Sequence, residues 1–110
     1  MNEEPKLSLD EAKAVVATKT APRVTEETIK SRIASVEYVM HKHLTIAIIT
    51  MVNGFMVTGV SAPASVANFD PEVGKRYAYD NAFKQLWPLE GYILREVIAG
   101  TRGYEVVPAP

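Results

Sequence analysis

The chain has 110 residues, of which 12 are Lys or Arg and 13 are Asp or Glu, for a formal net charge of −1. That length is one domain with a small core, and the charge balance argues against a nucleic-acid binder held by counterion release. Cysteine is absent, which excludes a disulfide framework, a thiolate zinc site and a cysteine nucleophile.

The N-terminal stretch MNEEPKLSLDEAK is acidic and polar, unlike a signal peptide. Within it, Ser8 followed by Glu11 is a capping-box pattern, and Leu9, Ala12, Val15 and Val16 line one side of a short helix ending near Thr18. Thr18 to Pro22 reads as a linker, so residues 1–22 form an appendage and 23–107 the domain. Thr25, with Glu26 and Glu27 after it, caps a second helix expected over Glu26 to Ala34.

The middle of the chain is β-prone. Val36–Met40, Leu44–Val52 and Phe55–Val60 predict three strands. The central one is apolar on both faces, at Ile46, Ile48 and Ile49. It is also the longest apolar run in the chain and about half of what spans a bilayer as a helix, so no membrane is expected. Asn53-Gly54 predicts a two-residue type I′ hairpin, and Gly59 suggests a bulge. His41 and His43 make an H-x-H pair, but a metal needs at least one further ligand. No metal and no cofactor is expected, and a polar turn is the preferred reading. Ser61 to Phe69 reads as a loop with Phe69 as a hydrophobic staple.

Asp70-Pro71 is a helix start, with the carboxylate as cap and Pro where an N–H would be unpaired. Val73, Tyr79, Ala82, Phe83 and Leu86 recur at helical spacing and define its buried face. Pro88 predicts either a kink at Trp87 or a second helix opening on Pro88. Leu89, Ile93, Leu94, Val97 and Ile98 carry the apolar pattern on to Gly100, where the helix should stop. The fold class is α+β: a three-stranded antiparallel meander covered by a C-terminal bent helix or helix pair, with one or two N-terminal helices.

Glu90 falls on or beside the apolar stripe. A carboxylate there must be paired, exposed at the rim, or neutral. Arg95, Lys84 or a loop backbone are its expected partners; the functional alternative is a pocket walled by Trp87 and Tyr92. Tyr77, Tyr79, Lys84, Trp87, Glu90, Tyr92 and Arg95 form the candidate ligand or partner surface, because aromatics with cations serve both interface hot spots and nucleotide stacking. Arg76, Lys84 and Arg95 are candidates for phosphates if an oligomer gathers them. No spacing singles out an acid–base pair or a Ser–His–Asp relay, so the chain reads as non-enzymatic.

Asn53-Gly54-Phe55, Asn68-Phe69-Asp70 and the block Trp87 followed by Leu89-Glu90-Gly91-Tyr92, taken in that order from about Thr25 to Glu96, resemble a family of small tailed-bacteriophage proteins, the gene product forty-nine / gene sixty-six family. The loop His41–His43 is shorter than that family's pattern suggests. The resemblance implies a phage accessory gene working in the host cytoplasm, and it carries no catalytic residues. The combined expectation is an oligomeric binding module. It would act on a host protein or sequester a small ligand, with a nucleotide-type molecule as one case. The alternative is a nucleic-acid-binding or transcription-related accessory protein, which the charge disfavours.

Overall fold

A computed structural model describes residues 3–100. The domain limit expected at residue 107, and the loop expected at 101–103, lie outside the described residues. The elements run α1 (Leu9–Ala17), α2 (Glu26–Ser31), β1 (Ile33–His41), β2 (Leu44–Met51), β3 (Met56–Ser61), a 3-10 turn (Val66–Asn68), α3 (Pro71–Phe83) and α4 (Leu86–Ala99). The strands form one open antiparallel sheet in the order β1-β2-β3.

The caps are those the sequence specifies. Ser8 Oγ accepts from the Glu11 N–H while Glu11 Oε1 accepts from the Ser8 N–H. That backbone donor, with the Ser8 hydroxyl, holds the Glu11 carboxyl below its usual pKa. Asp70 Oδ1 accepts from the N–H groups of Glu72 and Val73 at 2.9 and 3.1 Å. Gly100 closes α4 with φ 65°, the left-handed conformation glycine adopts without strain.

Four local expectations are corrected. The second helix stops at Ser31, and β1 begins at Ile33, which pairs with Met51. Ile33 and Val36 therefore pack from a strand, because pairing with β2 outweighs a weak helical preference. The hairpin after Met51 has a three-residue loop. Gly54 N donates to Met51 O and Met51 N to Phe55 O. Gly54 has φ 90° while Asn53 is not in the positive-φ region, so the loop is a turn followed by a glycine bulge rather than type I′. At Lys84–Gln85 the chain breaks between α3 and α4. Pro88 is thereby the third residue of α4, inside the first turn, where no intrahelical donor is lost. Phe69, finally, has a glycine, Gly74, at the position a hydrophobic staple would pack against. Its Cε1 lies 3.7 Å from the position a Gly74 Cβ would take.

α3 lies across β2 and β3. Along β2, Thr45, Ala47, Ile49 and Met51 are buried beneath it, while Leu44, Ile46, Ile48 and Thr50 point the other way and are half-buried. Ile46 sits between Val39 and Val60 in register, and both of these are exposed. The second apolar face of the central strand is therefore open. The core consists of Ile29, Ala47, Ile49, Met51, Val57, Ala78, Ala82, Phe83 and Leu86. Phe83 and Leu86 are buried as the periodicity requires; Val73 is exposed and Ala78 takes its place.

Small residues bring the helix down onto the sheet. A Cβ on Gly59 would lie 2.2 Å from both the Ala78 carbonyl O and the Ala82 N. Gly59 is thus a backbone-on-backbone contact and not a bulge: the β2–β3 register is regular through it. Two amides seal the arrangement, Asn81 Nδ2 donating to Val60 O at 2.9 Å and Gln85 Nε2 to Thr58 O at 2.6 Å.

Candidate functional site

Because α3 covers β2 and β3, β1 is covered on its helix side only at Ile33 and Val36 and is left bare from Tyr38 on. Tyr38 pairs with Ala47 in register, so it shares the covered face, yet it remains exposed. The space above it, between α2 and α3, is a groove of about 560 Å³ lined by Glu26, Lys30, Tyr38, Glu72, Lys75, Arg76, Tyr79, Asp80 and Phe83. Lys75 Nζ lies 5.6 Å from the Tyr38 ring centroid, and Arg76 Cζ lies 5.4 Å from that of Tyr79. Both are cation–π distances. Tyr79 and Phe83 have ring centroids 5.7 Å apart, so the aromatic floor is continuous.

Each groove cation has a carboxylate on its own helix. Lys30 pairs with Glu26 at 3.3 Å, Lys75 with Glu72 at 3.6 Å, and Arg76 with Asp80 through two nitrogens. Hydrogen bonding to Asp80 raises the Arg76 pKa above its ordinary value. These are solvent-facing pairs one helical turn apart, and water and salt screen such pairs, so each holds its cation only weakly. A ligand phosphate or carboxylate can therefore take over the cations at little cost. The groove thus combines aromatic rings with paired cations and carboxylates.

A second, smaller cavity of about 220 Å³ lies between the β2–β3 hairpin and the start of α4. Met51, Asn53, Phe55, Leu86, Leu89, Glu90, Tyr92 and Ile93 line it. Glu90 is 7 % exposed, and its Oε1 accepts from Arg32 Nε at 2.8 Å. Its partner is thus the C-terminal cap of α2, 58 residues away in sequence, rather than Lys84 or Arg95. Trp87 is not part of this wall.

The seven residues singled out from sequence are distributed over the molecule. Tyr79 belongs to the groove. Trp87 touches the groove's aromatic row edge-on through Phe83, at 6.4 Å, and otherwise lines a gap beside α1. Glu90 and Tyr92 meet in the small cavity, and Tyr77 faces the loop Ser61–Pro63 and Phe69. Lys84 and Arg95 are exposed and line none of these spaces. Glu26, Lys30, Tyr38, Glu72, Lys75, Arg76, Asp80 and Phe83 complete the groove; of these only Arg76 is singled out by the sequence, as a phosphate candidate.

Among the described residues no group of His, Asp and Glu could hold a metal ion, and no helix is long and apolar enough to cross a membrane. The protein is a small α+β domain, an open three-stranded antiparallel sheet with helices before and after it. The chain belongs to the Phage protein (N4 Gp49/phage Sf6 gene 66) family, whose model matches residues 24–98. It is a small phage accessory protein. Neither a curated protein nor a solved structure matches it at a significant level.

Proposed function

We propose that this protein is a non-enzymatic, oligomeric binding module that acts in the host cytoplasm by sequestering a small ligand with a flat ring and an anionic group, of nucleotide type. One observation carries the reading: in the groove, Tyr38 and Tyr79 each lie beside a cation, over an aromatic floor formed with Phe83. Ring stacking contributes about 1–3 kcal/mol per base, and the Lys30, Lys75 and Arg76 cations supply charge-assisted bonds to phosphate. Three cations and three carboxylates line the groove in matching number, with Tyr38 exposed beside them. That matching suits a discrete ligand better than a nucleic-acid backbone, which needs a continuous basic stripe.

The test is a thermal-shift and calorimetry series with mono-, di- and cyclic nucleotides. A ligand present at a hundred times its dissociation constant stabilises the fold by about 2.7 kcal/mol. Lys75→Glu should weaken binding at least tenfold while leaving the urea midpoint within error, since its ammonium stands at the open groove; Tyr79→Ala should weaken binding as much but also lower the urea midpoint, because Tyr79 packs against the core and Phe83. No stabilisation by any of these compounds at millimolar concentration overturns the reading.

The small cavity favours a second reading, docking of a host protein. Exposed Phe55 and Tyr92 rim an apolar hole with a charged wall, an arrangement that hot-spot side chains fill.

A further inference from the structure

We propose that the small cavity between the β2–β3 hairpin and α4 binds a free, uncharged molecule of one ring or two fused rings that carries an N–H or O–H donor, with Glu90 Oε2 as the acceptor. The site is distinct from the α2–α3 groove. Its occupant is a free molecule, where the second reading above places an inserted host side chain.

Two remote segments put the acceptor in place. On α4, Glu90 comes four residues after Leu86 and three before Ile93, so helical spacing carries its carboxylate onto the face that buries Leu86. There it is 7 % exposed and lines the cavity beside Leu86 and Ile93. Arg32, the C-terminal cap of α2, engages one oxygen only, its Nε donating to Oε1 at 2.8 Å. Among the described residues nothing donates to Oε2. Nor is that oxygen sealed in, because among the described residues it is Thr45 Oγ1 that is both enclosed and without a partner. Oε2 therefore keeps an open surface, and the space that Glu90 lines is the cavity. A carboxylate accepts through both oxygens, and one left without a donor in apolar surroundings is destabilising. A ligand N–H or O–H removes that deficit.

The rest of the lining selects the body of the ligand. Met51, Leu86, Leu89 and Ile93 supply apolar walls around a volume of about 220 Å³. An apolar cavity of about 150 Å³ takes a benzene ring, while drug-sized ligands occupy about 300 Å³ or more. The fit is one ring with a substituent, or two small fused rings. Charge is set by what stands near Glu90. No Lys or Arg lines the cavity, so an anion would meet the carboxylate alone. An ammonium would lose its water beside a carboxylate that Arg32 already offsets, which is unfavourable. A neutral donor avoids both penalties.

A free molecule also suits the mouth better than a partner's side chain does. A side chain brings backbone with it, and each backbone N–H and C=O needs a hydrogen-bond partner wherever contact excludes water. The mouth presents the exposed rings of Phe55 and Tyr92. The Asn53 side-chain oxygen is already taken, accepting from the Phe55 N–H at 2.9 Å.

Indole and benzofuran separate the donor from the ring, since they have nearly the same shape and only indole carries an N–H. In NMR titrations of the full-length, isotope-labelled chain, indole at millimolar concentration should shift the amide signals of Phe55, Tyr92 and Ile93 saturably. It should bind about tenfold or more tightly than benzofuran, the usual effect of a hydrogen bond to a charged acceptor. Glu90→Gln adds a readout that a merely structural role would not move. A guanidinium only donates, so the amide must give its oxygen to Arg32 and turn its NH₂ into the cavity. The preference for indole should then vanish or reverse toward benzofuran, whose ring oxygen accepts. No saturable shift in the wild-type chain overturns the site. Equal wild-type affinity for the two compounds, or a preference that Glu90→Gln leaves unchanged, overturns the part given to Glu90 and the proposal with it. N-acetyltryptophanamide binding about tenfold or more tightly than indole overturns the free molecule and leaves the host-protein reading standing. Should Glu90→Gln fail to fold, the wild-type comparison decides alone. Nucleotide binding is read at the Tyr38 and Lys75 amides of the groove and enters none of these outcomes.

Discussion

The two long helices meet at Lys84–Gln85 and behave as opposites. α3 is pressed so hard onto the sheet that Gly59 has no room for a methyl group. α4 buries only Leu86 and Glu90 and leaves Trp87, Tyr92, Val97 and Ile98 exposed. Both helices carry apolar residues at helical spacing, so periodicity alone does not distinguish them. The difference lies in residue size. Ala78 and Ala82 against Ala47 and Gly59 give close backbone approach, whereas the large residues of α4 project from a helix with little beneath it. Small apolar residues mark where this chain builds stability, and large ones beyond Pro88 mark where it keeps surface.

The sharpest way to break that comparison is a pair of glycine substitutions. Gly59→Ala places a methyl group on the backbone of α3, 2.2 Å from two of its atoms. Backbone cannot rotate away as a side chain can, so the helix must lift off the sheet. The expected loss is about 4 kcal/mol or more, in the exceptional range for a point substitution and most of the stability of a domain this size. Gly91→Ala, in open space, should gain up to about 1 kcal/mol from helix propensity, measured at low protein concentration. Urea unfolding of the two variants checks both. Equal effects at the two glycines would show that the halves are not as different as their packing.

The Arg32–Glu90 pair ties the end of α2 to α4, and it should respond asymmetrically. Glu90 has 9 % of its side chain exposed and Arg32 has 32 %. Arg32→Ala strands a buried carboxylate and should cost about 3–5 kcal/mol. Glu90→Ala strands a guanidinium that water already reaches, so about 1–3 kcal/mol is expected. Chemical denaturation of the two single variants and the double variant settles it. The double variant should be less damaged than Arg32→Ala, since the stranded charge is gone. A double variant as unstable as the two single losses added together would mean that the pair is not an interacting unit.

How much of this was legible in the sequence follows the same division. Local chemistry was readable: the caps at Ser8, Thr25 and Asp70, the three strands, and the stop at Gly100 each depend on residues within one turn or one hairpin. What depends on remote partners was not. Nothing near Glu90 identifies Arg32, and nothing in Lys30 or Tyr38 shows that α3 will leave β1 uncovered and open a groove between them. The boundary at Ile33 has no local signal, because its β character is decided by Met51 across the sheet. The choice of face on β2 was open for the same reason. Ile46, Ile48 and Ile49 are equally apolar, and the small residues Ala47 and Gly59 decide which side α3 occupies.

Close seating has a local cost, and the smallest predicted effect measures it. Thr45 is completely buried, and its Oγ1 has no hydrogen-bond partner. The atom lies 2.6 Å from where a Gly74 Cβ would stand, so the hydroxyl is enclosed by the helix that Gly74 allows to come down. A buried hydroxyl without a partner is destabilising, and replacing it by an apolar group of the same shape is neutral or favourable. Thr45→Val should therefore raise stability by about 1 kcal/mol, seen as a melting temperature higher by roughly 4–8 °C for a domain of this size. The same substitution at Thr50, on the open face of the same strand, removes a hydroxyl that is only half-buried and should leave stability within about 0.5 kcal/mol of wild type. A loss at Thr45 would mean that the hydroxyl helps to seat Gly74, and the tight half of the molecule would then be held by polar contact as well as by small side chains.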